Sequence, residues 1–219
     1  MASREVHHAD AIEWLRERAS LTGSSVVTSL PDASEGRWES PAAWEAWFVD
    51  AAALVIDRVP DSGLAIFYQT DVKRDGVWVD KAALVALAVE RAGAHTVFHK
   101  IVMRGVPRAT TRGLAGYSHL IACSRGVRAG AALATPDVIA AAGPTTWTRG
   151  MGVLACRAAC DAIVLWTPTR TVVDPFCGHG TVLAVANELG LDAVGVEIAG
   201  RRVRRARSLT LESLARPTP

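Results

Sequence analysis

The sequence predicts an α/β fold, a seven-stranded, mostly parallel, doubly wound sheet with one antiparallel hairpin at an edge. Three observations predict it. Short apolar runs rich in Val, Ile and Leu alternate with segments of helical periodicity, the pattern of strand–helix–strand units. Two of these runs, Thr96 to Met103 and Tyr117 to Cys123, follow one another with no helix between them, as a hairpin does. Near the end of the chain, Val172-Val173-Asp174-Pro175-Phe176-Cys177-Gly178-His179-Gly180-Thr181 reads as a buried strand, a tight glycine turn and a helix start.

The elements follow in order. Glu5 to Asp10 is a short strand ending in an acid, and Asp10 caps a helix over Ala11 to Ser20. Ser25 to Ser29 is a β-branched strand, and Leu30 to Pro41 is a polar, turn-rich loop. Pro41 suits the first turn of a helix running to about Arg58 and carrying Trp44, Trp47 and Phe48. A Pro60–Gly63 turn leads to a buried strand, Leu64 to Tyr68. Asp80 caps a helix to about Arg91, which Gly93 stops. The hairpin strands come next, then an irregular stretch from Thr135 to Gly150 and a helix from Met151 to Leu165. Strand, helix, strand and helix complete the chain from Thr171.

At 219 residues the chain suits one α/β domain, expected to span 1–219. Half the residues are hydrophobic, ample for a core on both faces of a sheet. The net charge of +2 does not announce nucleic acid, but its distribution is uneven. Arg104, Arg108, Arg112, Arg125 and Arg128 share one span, and Arg201, Arg202, Arg204, Arg205 and Arg207 crowd the last helix, read as a charged solvent face. The four cysteines form no C-x-x-C pair, so buried free thiols are expected and a metal is not. The first residues lack an apolar signal core and no run is long enough to span a bilayer, so a cytoplasmic protein without a membrane partner is expected.

The glycine turn is neither G-x-G-x-x-G nor a P-loop, so a pyrophosphate is not its obvious guest. Glu197 comes 23 positions after Asp174, ending a second apolar run, where a carboxylate can hold the two hydroxyls of a ribose. The eight residues from Asp174 to Thr181 resemble the S-adenosylmethionine motif of the class I methyltransferases. They are most similar to the form found in nucleic-acid amino-methyltransferases, D-P-F-x-G-x-G-T. The resemblance implies S-adenosyl-L-methionine as cofactor, held by Asp174, Phe176, Cys177, Gly178, Gly180, Thr181 and Glu197. It also implies a circular permutation, because the motif lies near the end of the chain. A substrate half would then occupy about 1–130 and a cofactor half about 145–214. Under that order Glu5 to Asp10 resembles the family's third strand, whose terminal acid, here Asp10, meets the adenine amino group. Trp147 to Met151 loosely resembles the segment that cradles the methionine end, with Arg149 and Gly150 as contacts and a helix N-terminus to favour the carboxylate.

Val26 to Asp32 resembles the family's catalytic motif, of which T-S-P-P-Y is the nearest variant. Thr28 joins the cofactor contacts, Ser29 keeps the polar position that accepts from a substrate amine, and Pro31 keeps the second proline. Leu30 replaces the first proline. Asp32 stands where an aromatic would stack on a flipped base, and is expected to accept a hydrogen bond or a proton instead. Trp38, Trp44 or Trp47 would supply aromatic surface, although helix packing is the commoner role of Trp44 and Trp47.

For the substrate, Gln69 and Asp71 follow a strand at the carboxyl edge of the sheet, and Lys100, Arg104 and Arg108 sit on the hairpin, suited to phosphate contacts. These features favour methylation of a base in structured RNA such as tRNA or rRNA. DNA ranks lower, since neither 30–41 nor 125–147 has room for a separate recognition region. A small-molecule N- or O-methyltransferase is the alternative, and a non-catalytic cofactor-binding subunit the third. A homodimer stays open.

Overall fold

The computed structural model describes residues 2–74, 76–106, 115–130 and 135–215. Strands β1 (Arg4–His8), β2 (Ser24–Thr28), β3 (Ala65–Gln69), β6 (His95–Met103), β7 (Tyr117–Ser124), β8 (Val138–Ile139), β9 (Thr171–Asp174) and β10 (Asp192–Glu197) form one sheet in the order β1-β10-β9-β2-β3-β7-β6-β8. Among the described residues the sheet thus has eight strands where seven were expected. The eighth, β8, adds two residues parallel to β6, too few to show a period in the sequence. The strands from β1 to β3 run parallel, and β7 is antiparallel to both β3 and β6, forming the expected hairpin. A separate hairpin of β4 (Val72–Arg74) and β5 (Val77–Val79) is an addition, signalled in the sequence by Asp75-Gly76 between two short valine-bearing runs.

Successive residues of each strand feed opposite cores. Val172 packs with Leu64 and Ile66 on one face, and Val173 packs with Ala65 and Phe67 on the other. Helices α1 (Ala11–Arg16), α2 (Pro41–Arg58) and α3 (Lys81–Arg91) cover the second face. Helices α4 (Val153–Trp166), α5 (Thr181–Glu188) and α6 (Gly200–Ser208) cover the first, and α7 (Leu211–Ala215) follows. Every residue of β2 and β3 is buried, as strands covered on both faces require. Helix starts are fixed by side chains read from the sequence. Asp10 accepts from the amides of Ile12 and Glu13, Ser40 from that of Ala43 and Asp80 from that of Ala83. Helix α1 stops four residues early, because Leu21 must reach the core and its amide donates to the Arg58 carbonyl.

The four cysteines are free and buried. Burial pushes the Cys123 and Cys160 thiols up to about 12, so neither is a nucleophile near neutrality. Among the described residues, no helix is long and apolar enough to cross a membrane.

Candidate functional site

The carboxyl ends of β1, β10, β9 and β2 meet at one edge of the sheet. Between β9 and β2 the strand order reverses, which opens a crevice there. A cavity of about 360 Å³ occupies it. Asp10 follows β1, Glu197 ends β10, the turn Asp174–His179 follows β9, and Ser29-Leu30-Pro31 follows β2. All of these line the cavity. Thr146 to Met151 (apart from Thr148) close another side.

The turn owes its shape to two glycines. Gly178 has φ 53° and Gly180 has φ 85°, both left-handed. A Cβ on Gly178 would meet nothing within 4 Å, so its backbone borders open space. A Cβ on Gly180 would lie 2.9 Å from the Cα of Ala206, so that glycine lets α6 pack against the turn. Gly180 is the N-cap of α5 and does not line the cavity. Thr181 does.

Asp174 is 4% exposed. Its Oδ1 accepts from Thr28 Oγ1 at 2.7 Å and from the Phe176 amide at 3.2 Å, while Oδ2 has no hydrogen-bond partner among the described residues. Burial pushes its carboxyl up to about 7, against the two hydrogen bonds and with a smaller contribution from the Glu197 charge. Thr28 therefore touches Asp174 from below and does not line the cavity. Glu197 Oε1 accepts from the Ala199 amide, and its Oε2 lies 3.9 Å from Arg202. Asp10 uses Oδ1 as the helix cap, with Oδ2 left over. Arg149 donates to Ser34 Oγ at 2.8 Å and so straps the 146–151 segment to the loop after β2.

The structure separates several predicted residues from the cavity. Asp32 turns away from it. Its side chain caps a 3-10 turn, Ala33–Glu35, and accepts from Lys81 Nζ at 3.0 Å. Lys81 is 3% exposed, so this carboxylate, expected at the substrate, neutralises a buried ammonium and does not line the cavity. Gln69 and Asp71 are buried beneath the edge of the sheet, and Asp71 accepts from His119 Nε2 at 2.9 Å and from the Lys81 amide. Lys100 is also buried, with Nζ donating to the Thr135 and Pro136 carbonyls, and is not free for phosphate. Arg104 joins Thr70 Oγ1 to the Thr148 carbonyl. Arg108 lies outside the described residues. Asp71, Asp80 and His119 bring one possible metal-ligand atom each within 4.8 Å of one another, a grouping that no sequence spacing reveals.

Of the three tryptophans expected to supply aromatic surface, two reach the cavity. Trp38 and Trp47 line it, with ring centroids 4.9 Å apart, and Trp47 stands edge-on to Phe176 at 6.3 Å. Trp44 is core, fully buried, its indole donating to the Pro31 carbonyl and so fixing the loop. Glu35, Trp147, His179 and Arg202 complete the wall. Glu35 and His179 lie beside or within the two motifs, whereas Trp147 and Arg202 are distant from both in the chain.

The residues fit S-adenosylmethionine by their chemistry. Two carboxylates stand at strand ends for a nucleoside, a buried carboxyl holds one oxygen unpaired for a cationic group, and a glycine backbone borders the space between them.

A family model described as DNA methylase matches residues 164–208, which run from the end of α4 through the glycine turn to α6. No curated protein matches the chain. Among solved structures, a putative DNA modification methylase from Thermus thermophilus, solved with S-adenosyl-L-methionine, has a TM-score of 0.73 at 17% identity, with 97% of this chain and 95% of that one covered. The cytosine-N4-specific PvuII DNA methyltransferase has a TM-score of 0.72 at 14% identity, with 98% and 90% covered. The M1.HpyAVI complex with the same cofactor has a TM-score of 0.60 at 14% identity, with 93% and 97% covered. By fold, the chain is similar to these methyltransferases.

Proposed function

We propose that the chain methylates an exocyclic amino group of a base in nucleic acid, with DNA as the first candidate. The observation that carries this is one cavity lined both by the cofactor turn, with Asp10 and Glu197, and by the Ser29-Leu30-Pro31 loop. The family match and structural neighbours, which include DNA methylases, favour DNA and lend no support to RNA. The sheet order, with β1 beside β10, supports the permuted reading.

When bound, S-adenosylmethionine supplies an electrophilic methyl group. The protein's part is positioning. Glu197 and Asp10 hold the nucleoside, and Asp174 and the turn at Phe176 to Gly178, with Thr181, hold the amino-acid end together with Arg149 and Gly150. Ser29 accepts a hydrogen bond from the target amine and orients its lone pair. Pro31, tied down through Trp44, keeps the loop rigid. Trp38 offers the stacking face that Asp32 cannot.

The test is methyl transfer from labelled cofactor to duplex DNA, folded RNA and a metabolite extract, with wild type and Ser29→Ala. Label in DNA that falls by about a hundredfold in Ser29→Ala supports the reading. Label only in RNA replaces DNA with RNA, and label only in metabolites, or in nothing, overturns it.

A further inference from the structure

Helix α6 carries Arg201, Arg202, Arg204, Arg205 and Arg207 within nine residues and has no acid of its own. Two of the five are engaged. Arg207 donates to the Val6 carbonyl, and Arg202 lies over the Trp147 ring at 5.3 Å and near Glu197. The side chains of Arg201, Arg204 and Arg205 have no ion-pair or hydrogen-bond partner among the described residues. Arg201 and Arg205 are one helical turn apart, so their charges repel on one face unless an anion lies between them.

That face opens into a second cavity, lined by Arg201, Arg202, Arg205 and His179. His179 comes from the cofactor turn, and its Nδ1 is enclosed with no hydrogen-bond partner. His179 and Arg202 line both cavities, so the two are contiguous at the carboxyl edge of the sheet. Three arginines and the His179 ring line one space, and their guanidiniums make a donor set for a tetrahedral oxyanion.

We infer that Arg201, Arg205 and His179, with Arg202, form a docking pocket for one backbone phosphate of the substrate nucleic acid, beside the mouth of the methyl-transfer cavity. This rests on the nucleic-acid reading above. A polymer phosphate suits the site because Arg201 and Arg205 are exposed, which leaves the pocket open to a strand running past it. A phosphate fixed there holds the strand while a base is presented to Ser29.

The test measures binding of a fluorescent duplex, and of a folded RNA of equal length, over a range of salt concentrations. Wild type is compared with the double variant Arg201→Gln/Arg205→Gln and with Arg204→Gln, whose side chain does not line the pocket. The double variant is expected to flatten the slope of log affinity against log salt by about 0.9, the value for one released phosphate contact. Its cofactor affinity, read by calorimetry, should match wild type, since neither arginine lines the first cavity. Arg204→Gln should keep the wild-type slope. An unchanged slope in the double variant, or an equal loss in Arg204→Gln, overturns the pocket while leaving the nucleic-acid reading intact. Failure of wild type to bind either polymer overturns both.

Discussion

Replacing Asp174 with Asn tests the electrical design of the cofactor site. The carboxyl is almost wholly buried at the cavity wall, and burial moves it from an ordinary 3.8 up to about 7. At about 1.4 kcal/mol per tenfold, ionising it in the empty site costs on the order of 4 kcal/mol. The sign follows from proton counting. Between about pH 4 and 7 the folded chain holds a proton that the unfolded chain has lost, so stability falls as pH rises through that window and is level above it. A cationic ligand beside Oδ2 favours the ionised form. Wild-type affinity for S-adenosylmethionine should therefore rise by up to about tenfold per pH unit below 7 and level off above it. Asp174→Asn keeps an Oδ1 acceptor for Thr28 and has no proton to lose. It should bind the cofactor weakly with no such pH slope, and its ligand-free form should melt higher than wild type at pH 8. Calorimetric titrations across this range, with thermal melts of the ligand-free proteins, read both effects. A flat wild-type affinity, or the same slope in Asp174→Asn, would refute the argument that a buried, proton-holding carboxyl receives the cofactor.

Asp32→Ala strands the buried Lys81 ammonium and should lower stability by about 3 kcal/mol, seen as a reduced denaturation midpoint. Most of that loss should return in Asp32→Ala/Lys81→Met, which a direct role for Asp32 in proton transfer does not predict for activity. Gly180→Ala forces a Cβ onto a left-handed residue and against Ala206, and should destabilise by about 2 kcal/mol, checked by the thermal midpoint. Trp38→Ala should raise KM for the nucleic acid by about tenfold with cofactor affinity unchanged, the loss of one stacked base. An unchanged KM would return Trp38 to packing alone.

The parts of the molecule governed by local chemistry were legible in the sequence. The glycine turn, the caps Asp10 and Asp80, and the antiparallel pair at the edge each depend on residues close together in the chain, so their patterns survive in one dimension. The same holds for the cavity residues drawn from motifs, namely Asp10, Ser29, Pro31, Asp174, Gly178 and Glu197. What failed was the inference from position to exposure. Asp32 follows the motif, yet a partner 49 residues away, Lys81, decides where its carboxylate points. Lys100 sits on an outer strand, yet two carbonyls from the 135–136 segment cover it. Asp71 follows a strand as a ligand-binding acid would, but His119 from β7 claims it. Long-range partners of this kind leave no period or spacing behind. The pairing of Trp38 with Trp47 and the convergence of His179 with the α6 arginines are equally nonlocal.

The pairing of β1 with β10 bears on how the chain acquires its structure during synthesis. Arg4 aligns with Ala193, and Ser24 with Thr171, so β1 and β2 wait for partners made well over a hundred residues later. Closing such loops late is slow, and until then the edges of β1 and β2 that β10 and β9 will cover stay open to other chains. The cavity draws on Asp10 and Ser29 and, far along the chain, on Asp174 and Glu197, so a nascent chain cannot assemble it before Glu197 is made. Ligand binding then acts as a final clamp across both ends of the chain, and free S-adenosylmethionine should improve the yield of refolding from denaturant.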